Sequence, residues 1–392
     1  MKFPSWILYS VLLCLFTLRA WAYPEFIGYG YATCITCHYN SHGSGALTDY
    51  GRGVWASEIA AKWLTPRTSD EALSESSGFL GSVELPIWFK PSIKYRGLNL
   101  INRYRSGNED HKYILMQSDY GFATQFSDKA SSPLLVFTAG HVPDTRDLGV
   151  HKANLYAKEY YVRLNFAKTW WAYGGLIEKV YGIRNVDHTS FQRTFQDFNP
   201  YPNRGLNHSL GVVVHRIEKT WEAAINGFGG NPNENLDYQK RGGSVQAEFD
   251  VGVLKRLGAS ILTSASDREA KDMAAIHYRQ GFQGGSAFIA EIGLIKQQDK
   301  VVVDAAEKNG GYQLFQGLIK LTRGLFWKTT FEQYNSEYGD LAADNHRYST
   351  GLLMFPMQRV EFRFDLASGR TLVDTSAAHD TWIFAGQVHG SF

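Results

Sequence analysis

Tyr312-Gln313-Leu314-Phe315-Gln316-Gly317-Leu318-Ile319-Lys320-Leu321 alternates with a period of two. Successive side chains of a strand point to opposite faces. Tyr312, Leu314, Gln316, Leu318 and Lys320 therefore share one face, and Gln313, Phe315, Gly317, Ile319 and Leu321 the other. The same alternation runs through Val83 to Phe89, Leu155 to Phe166 and Val245 to Leu254, and through most segments after Phe79. These runs have about the 9 to 11 residues of a tilted membrane-crossing strand. No stretch beyond the N-terminus is long and apolar enough for a membrane-spanning helix.

The connections sharpen this reading. Tight breaks fall near Lys168-Thr169, Lys219-Thr220, Lys255-Arg256, Gly285, Arg323-Gly324 and Pro356-Met357, and polar loops lie near 182–207, 229–242, 266–273, 299–310, 335–345 and 368–380. Strict short-long order predicts an outer-membrane barrel with short periplasmic turns. A soluble β-sandwich has no reason to keep it. Seventeen candidate strands can be counted, whereas a bacterial single-chain barrel needs an even number. The odd one is 79–89, set off by a tight Lys90-Pro91 break, because a periplasmic N-terminal domain leaves it no outward crossing. Sixteen strands over about 92–392, with both ends periplasmic, are expected.

The chain closes on Trp382, Phe384, Gly386, Val388, Gly390 and Phe392 on one face and Ile383, Ala385, Gln387 and His389 on the other. A terminal aromatic on an alternating strand marks chains destined for outer-membrane assembly. Aromatic residues make up 14 % of the chain, Gly numbers 38, and charged residues are only 20 %, below the usual quarter of a soluble domain.

Residues 1–22 read as a secretory signal: Lys2, an apolar run from Trp6 to Leu18, and Ala20-Trp21-Ala22 as cleavage site. Its removal takes Lys2 and Arg19 and no acid, so 40 bases against 38 acids become 38 against 38. No basic field for nucleic acid remains. Cys14 also leaves, so the cysteines of the exported chain are Cys34 and Cys37.

Those two lie in Cys34-Ile35-Thr36-Cys37-His38. C-x-x-C-H is the attachment pattern of a c-type haem: two thiols one turn apart form thioethers, and the adjacent imidazole becomes the proximal iron ligand. One covalent haem c on Cys34, Cys37 and His38 is expected. Two other readings compete. Zinc could use both thiols with histidines, but no second C-x-x-C or H-x-x-x-H partner follows. A Cys34–Cys37 disulfide leaves the adjacent His38 unexplained. The surrounding segment 23–77 is read as a small, mostly helical or irregular haem module, with the barrel at 78–392. Within it, Trp55, Ile59 and Trp63 recur as one face of a short helix in Leu47 to Trp63, and Arg67 to Ser77 reads as a polar linker.

A signal, one C-x-x-C-H module and a barrel-length alternating tail together resemble the fused outer-membrane cytochrome-porins, a family that includes Fe(II) oxidases of iron-oxidising bacteria. Cys34, Cys37 and His38 are the residues that carry over. The resemblance implies a haem in or at the mouth of the barrel that relays electrons between an extracellular donor or acceptor, Fe(II) among them, and a periplasmic cytochrome or other carrier.

The sixth ligand is open at this point. The module has no Met, so a His/Met pair cannot be completed within it. His42 sits close after His38; His141, His215, His277 and His389 fall within strands; Met116 would raise the potential relative to a second His. In the longest loop, Asp187-His188-Thr189 with Arg193 and Asp197 could hold a divalent metal, although a solvated loop explains them as well. No nucleophile triad, phosphate loop or paired-carboxylate spacing points to hydrolase or transferase chemistry. Three functions compete: an electron conduit in contact with outer-membrane lipid, a solute porin with a haem-bearing plug or sensor, and a periplasmic carrier with a soluble β-domain.

Overall fold

The computed structural model describes residues 26–40, 43, 46–81, 85–104, 107–127, 129, 131–141, 155–183, 190, 208–302, 304–340, 343–371 and 379–392. The signal reading of 1–22 lies outside them. Sixteen strands form one closed antiparallel barrel in sequence order, with β1 pairing β16. They are β1 Lys90–Tyr104, β2 Glu109–Gln125, β3 Leu134–His141, β4 Leu155–Ala167, β5 Trp170–Glu178, β6 His208–Ile217, β7 Trp221–Gly229 and β8 Arg241–Gly252. There follow β9 Lys255–Ala265, β10 Glu269–Phe282, β11 Ser286–Asp299, β12 Lys308–Thr322, β13 Leu325–Asn335, β14 Asp344–Met357, β15 Val360–Thr371 and β16 His379–Ser391. Closure leaves no unpaired edge for lipid to meet.

β9 shows why this sequence makes a membrane barrel. Leu257, Ala259 and Ile261 point outward, while Arg256, Gly258, Ser260 and Ser264 are buried on the lumen side. Apolar-out, polar-in alternation is stable only with lipid outside. On β12 the alternation falls as the sequence predicts: Tyr312, Leu314, Gln316 and Leu318 are buried inward. Phe315 stacks between Phe288 and Phe331 on the outer surface. Trp382, Phe384 and Val388 of β16 face out, and Gln387 and His389 face in.

Several boundaries differ from expectation. β1 begins at Lys90 and contains Pro91, so the predicted Lys90-Pro91 break is absent. The described part of 79–89 holds no strand, and Leu85 to Phe89 lies outside the wall, with Phe89 against outward-facing Phe122. The tight turns near Lys255 and Met357 centre instead on Val253-Leu254 and Gln358-Arg359, where Leu254 (φ 57) and Arg359 (φ 71) take left-handed conformations. The predicted loop 266–273 shrinks to Ser266–Arg268. Lys271 and Met273 already point into the lumen there.

The N-terminal segment packs into the short-turn end of the barrel. It contains α1 Asp49–Val54, a π-turn at Trp55–Ile59 and α2 Asp70–Glu75. Thr48 caps α1 by accepting from Gly51 N, and Ser69 caps α2 by accepting from Ala72 N. Two expectations are corrected. The apolar face stops at Ile59, because the π-turn ends the helix and leaves Trp63 exposed. The polar stretch 67–77 contains α2, which buries Leu73, rather than being all linker.

Candidate functional site

The segment is anchored by arginines of the barrel that donate into its main-chain carbonyls. Arg256 and Arg279 both reach Ala32 O, at 3.0 and 3.1 Å. Arg163 reaches Tyr39 O at 2.7 Å, beside an Asn40–Glu159 bond of 3.1 Å. Arg323 donates to Ala60 O (2.7 Å) and Ala56 O (3.0 Å), and Arg359 to Ser76 O and Gly78 O. From the segment's side, Arg52 reaches Pro91 O of β1 at 2.9 Å, and Lys90 pairs with Asp49.

In a closed ring of sixteen, β1 stands opposite β9 and β4 opposite β12. Anchors at β9–β10 and β1, and again at β4 and β12–β14, carry the chain across the lumen on two diameters. It is therefore a plug. Apolar lumen positions on β12–β14 serve it: Leu318, Phe326, Leu353 and Phe355 pack around Val54, Ile59 and Ala60. At the neighbouring β10–β11 turn Gly28 sits so close to Gly285 and Ser286 that a Cβ would lie 2.5 Å from Ser286 O.

Cys34, Cys37 and His38 lie within this plug. Cys34–Thr36 is one turn of 3-10 helix, closed by Cys37 N to Cys34 O (3.2 Å) and His38 N to Cys34 O (3.0 Å). Neither cysteine is in a disulfide. The Cys37 carbonyl accepts from Thr48 N at 2.9 Å, and Gly51 lies against Cys37 with no room for a Cβ. Burial, and then Cys34, push the Cys37 thiol up to about 11. Among the described residues no three of His, Cys, Asp and Glu converge as a metal cage.

The barrel behind Ala32 holds one buried charge network. His215 Nε2 lies 3.2 Å from Glu222, which accepts from Arg256 at 2.7 Å. Arg256 meets Glu248 at 3.2 Å, and Arg279 clasps Glu248 through Nε (2.7 Å) and Nη2. His277 approaches Glu248 at 3.5 Å over Gly258, where a side chain would strike its ring. His215 and His277 are thus members of an ion network.

The other ligand candidates separate clearly. His42 lies outside the described residues, and of His141 the structure places only the backbone, at the end of β3. Met116 is the extra residue of a β-bulge opposite Arg96/Gly97. His389 is buried facing the lumen, with Nδ1 3.1 Å from Glu361 Oε2 and 3.3 Å from Arg96 Nη2. Two thiols and an imidazole thus share one turn of the plug, and His215, His277 and His389 are buried on the barrel wall.

Asp187, His188, Thr189, Arg193 and Asp197 lie outside the described residues. The described flanks of that loop fold into the lumen. Val180 N donates to Asn226 (3.3 Å), Gly182 N to Ser260 (3.1 Å), and Ile183 N to Glu291. Ser190 donates to Glu332 at 2.5 Å, and Glu332 also holds Arg347. The arginine anchors and these inward flanks are what sequence reasoning misses, since their partners lie far away along the chain.

No family model and no curated protein matches the sequence. Among solved structures, the chain is similar to the outer-membrane protein OmpT of Vibrio cholerae at 9 % identity and TM-score 0.59, covering 79 % of this chain and 99 % of that one. An anion-selective porin from Comamonas acidovorans aligns at 11 % identity and TM-score 0.58, over 78 % and 99 %. The channel DcaP of Acinetobacter baumannii aligns at 10 % and 0.53, over 78 % and 97 %. What this chain shares with them is the fold of a sixteen-stranded, porin-type barrel.

Proposed function

We propose that the chain is an outer-membrane electron conduit: a porin-type barrel closed at its periplasmic mouth by its own N-terminal plug, which carries one covalent haem c on Cys34, Cys37 and His38. The single observation behind this reading is the position of the C-x-x-C-H turn inside the barrel, on a plug anchored to opposite walls. One haem on the periplasmic surface would be separated from the outside by an apolar band of roughly 25 Å. Held by the plug at the short-turn end of the lumen, it would be shielded from lipid.

When bound, the haem supplies a one-electron Fe(III)/Fe(II) couple. The chain's own residues do the rest. The arginine anchors fix the plug backbone on both sides of Cys34 to His38, and His38 presents its imidazole from a turn held by Thr48. Loop residues 180–183 and 190, pinned by Asn226, Ser260, Glu291 and Glu332, narrow the approach from the other end. An extracellular donor or acceptor, with Fe(II) as one donor, and a periplasmic carrier are the partners this reading requires.

The porin-type fold itself favours a second reading, a solute channel whose plug acts as a gate or sensor. Ion conductance in planar bilayers together with haem stain after denaturation separates the two. The conduit predicts a covalent haem and near-zero conductance, and the solute channel predicts steady conductance that does not depend on haem.

A further inference from the structure

At the seam where the barrel closes, the plug and the wall together line a small cationic cavity. From the plug come Arg52, Trp55 and Ser77, and from the wall Lys94 of β1, Arg359 of the β14–β15 turn and Ser391 of β16. Its lining holds three cations and no aspartate or glutamate. With a terminal carboxylate on Phe392 counted, the bases still lead by three to one.

The two guanidiniums are short of counter-charge. Arg52 is 8 % exposed, and its acid, Asp49, lies 3.9 Å away and is held more closely by Lys90, at 2.6 Å. Its Nη2 donates to a neutral acceptor, Pro91 O, at 2.9 Å. Arg359 likewise donates to neutral oxygens, Ser76 O at 2.9 Å and Gly78 O at 2.6 Å. Burial first, and then the charge of Arg52, lowers the proton affinity of Arg359. Trp55 Nε1 is buried without a hydrogen-bond partner. An indole N–H only donates, so it calls for an acceptor, as the cations do. Gln358 Oε1 is buried without a partner too, and rotation of that amide presents either an acceptor or a donor. The cavity measures about 10 Å³, room for one water-sized sphere. That excludes phosphate, sulfate and carboxylate-bearing organic ligands. Of the common anions only a monatomic one, chloride first, approaches this size.

We propose that this cavity binds chloride, which bridges Arg52 and Trp55 of the plug to Lys94 and Arg359 of the wall and fastens the plug across the seam where β16 meets β1. The competing occupant is a single water. A water pairs Trp55 Nε1 with Gln358 Oε1 but leaves the guanidiniums without counter-charge. Buried charge left uncompensated is costly, and this favours the anion. The site needs no haem, so it stands whether the barrel is a conduit or a channel.

The test uses purified full-length protein in detergent. Limited proteolysis within 49–78 is followed as sodium chloride replaces sodium gluconate at constant ionic strength, which keeps screening unchanged. Cleavage of an unfolded substrate in the same solutions corrects for the protease. Chloride is expected to slow cleavage of the plug several-fold and saturably. Trp55→Phe keeps a ring against Phe355 and removes the donor, so its half-saturating chloride should rise several-fold. Arg359→Gln also loses its bonds to the plug carbonyls, so it should be cut faster at every concentration and no longer respond to chloride. Either variant can disturb the seat itself, so the parent is also crystallised in sodium bromide, where an anomalous peak is expected among Arg52, Trp55, Lys94 and Arg359. Equal cleavage in chloride and gluconate overturns the proposal. So does an unchanged chloride response in both variants, or a cavity that holds water and gives no anomalous peak.

Discussion

Arg279 of β10 donates from Nη2 to the main-chain carbonyl of Ala32, 3.1 Å away and two residues before Cys34. Arg256 of β9 reaches the same oxygen from the neighbouring strand, and the Glu248 carboxylate lies between the two guanidiniums. A hydrogen bond from a charged donor is roughly twice as strong as a neutral one. Here two converge on one atom of the plug. The barrel thus holds the flank of the haem motif through its backbone, whatever side chain stands at position 32.

Glu248→Gln should weaken this seat. Glu248 is 4 % exposed and meets both arginines. Removing the charge takes the carboxylate from buried Arg279 while Arg256 keeps Glu222, and breaking such a buried pair costs about 3–5 kcal/mol. The temperature at which the folded barrel shifts to its unfolded gel mobility should fall by several degrees. An unchanged shift temperature would mean the network is hydrated and weak.

Ile59→Ala should loosen the plug and spare the barrel. Ile59 is 1 % exposed against Phe326 and Phe355, and such truncation costs about 2–5 kcal/mol. Limited proteolysis should cut within 49–78 faster than in the parent, with gel mobility of the barrel intact. Equal cleavage rates would argue that the apolar contact contributes little.

Asp70 ties α2 to the barrel through Lys62 and Arg323, each at 2.7 Å. These partners, Lys62 first, hold its carboxyl below the usual range. A lowered folded value means that the contribution is present above the unfolded value and lost as pH falls through the folded one. Asp70→Asn should therefore raise proteolysis of 62–78 at neutral pH by a few-fold. The difference should vanish in acid below the ordinary carboxylate range, where the parent loses the same charge. A difference that persists there would assign the effect to packing.

Much of the barrel was legible because its outer face meets lipid and must be apolar at every second position. The inner face explains the misses. Lys271 and Asp272 read as loop because lumenal and rim charges look like solvated ones, and the strand runs on through them. Leu254 and Arg359 carry turns in left-handed conformations that no glycine advertises. Of the site, Cys34, Cys37 and His38 are a local pattern and so readable. The carbonyl anchors of Arg163, Arg256, Arg279, Arg323 and Arg359 are not, because a backbone acceptor leaves no trace in residue identity. His389 was readable only as one inward position among several, because its partners Glu361 and Arg96 come from the two neighbouring strands.

Removing the plug should open the channel. Deletion of 26–78 is expected to leave the sixteen strands, all of which lie after that segment. Bilayer conductance should rise from near zero to that of an open barrel. Equal conductance with and without the segment would mean the plug does not block ions.

The central claim is tested most directly by electron transfer in proteoliposomes that enclose a periplasmic-type cytochrome and face an impermeant redox couple outside. Parent protein is expected to reduce or oxidise the enclosed cytochrome, and His38→Ala, with its barrel assembled, to lose that exchange. Exchange at the parental rate in His38→Ala, or none in a parent shown to carry haem, would contradict the conduit and leave the solute channel as the better account.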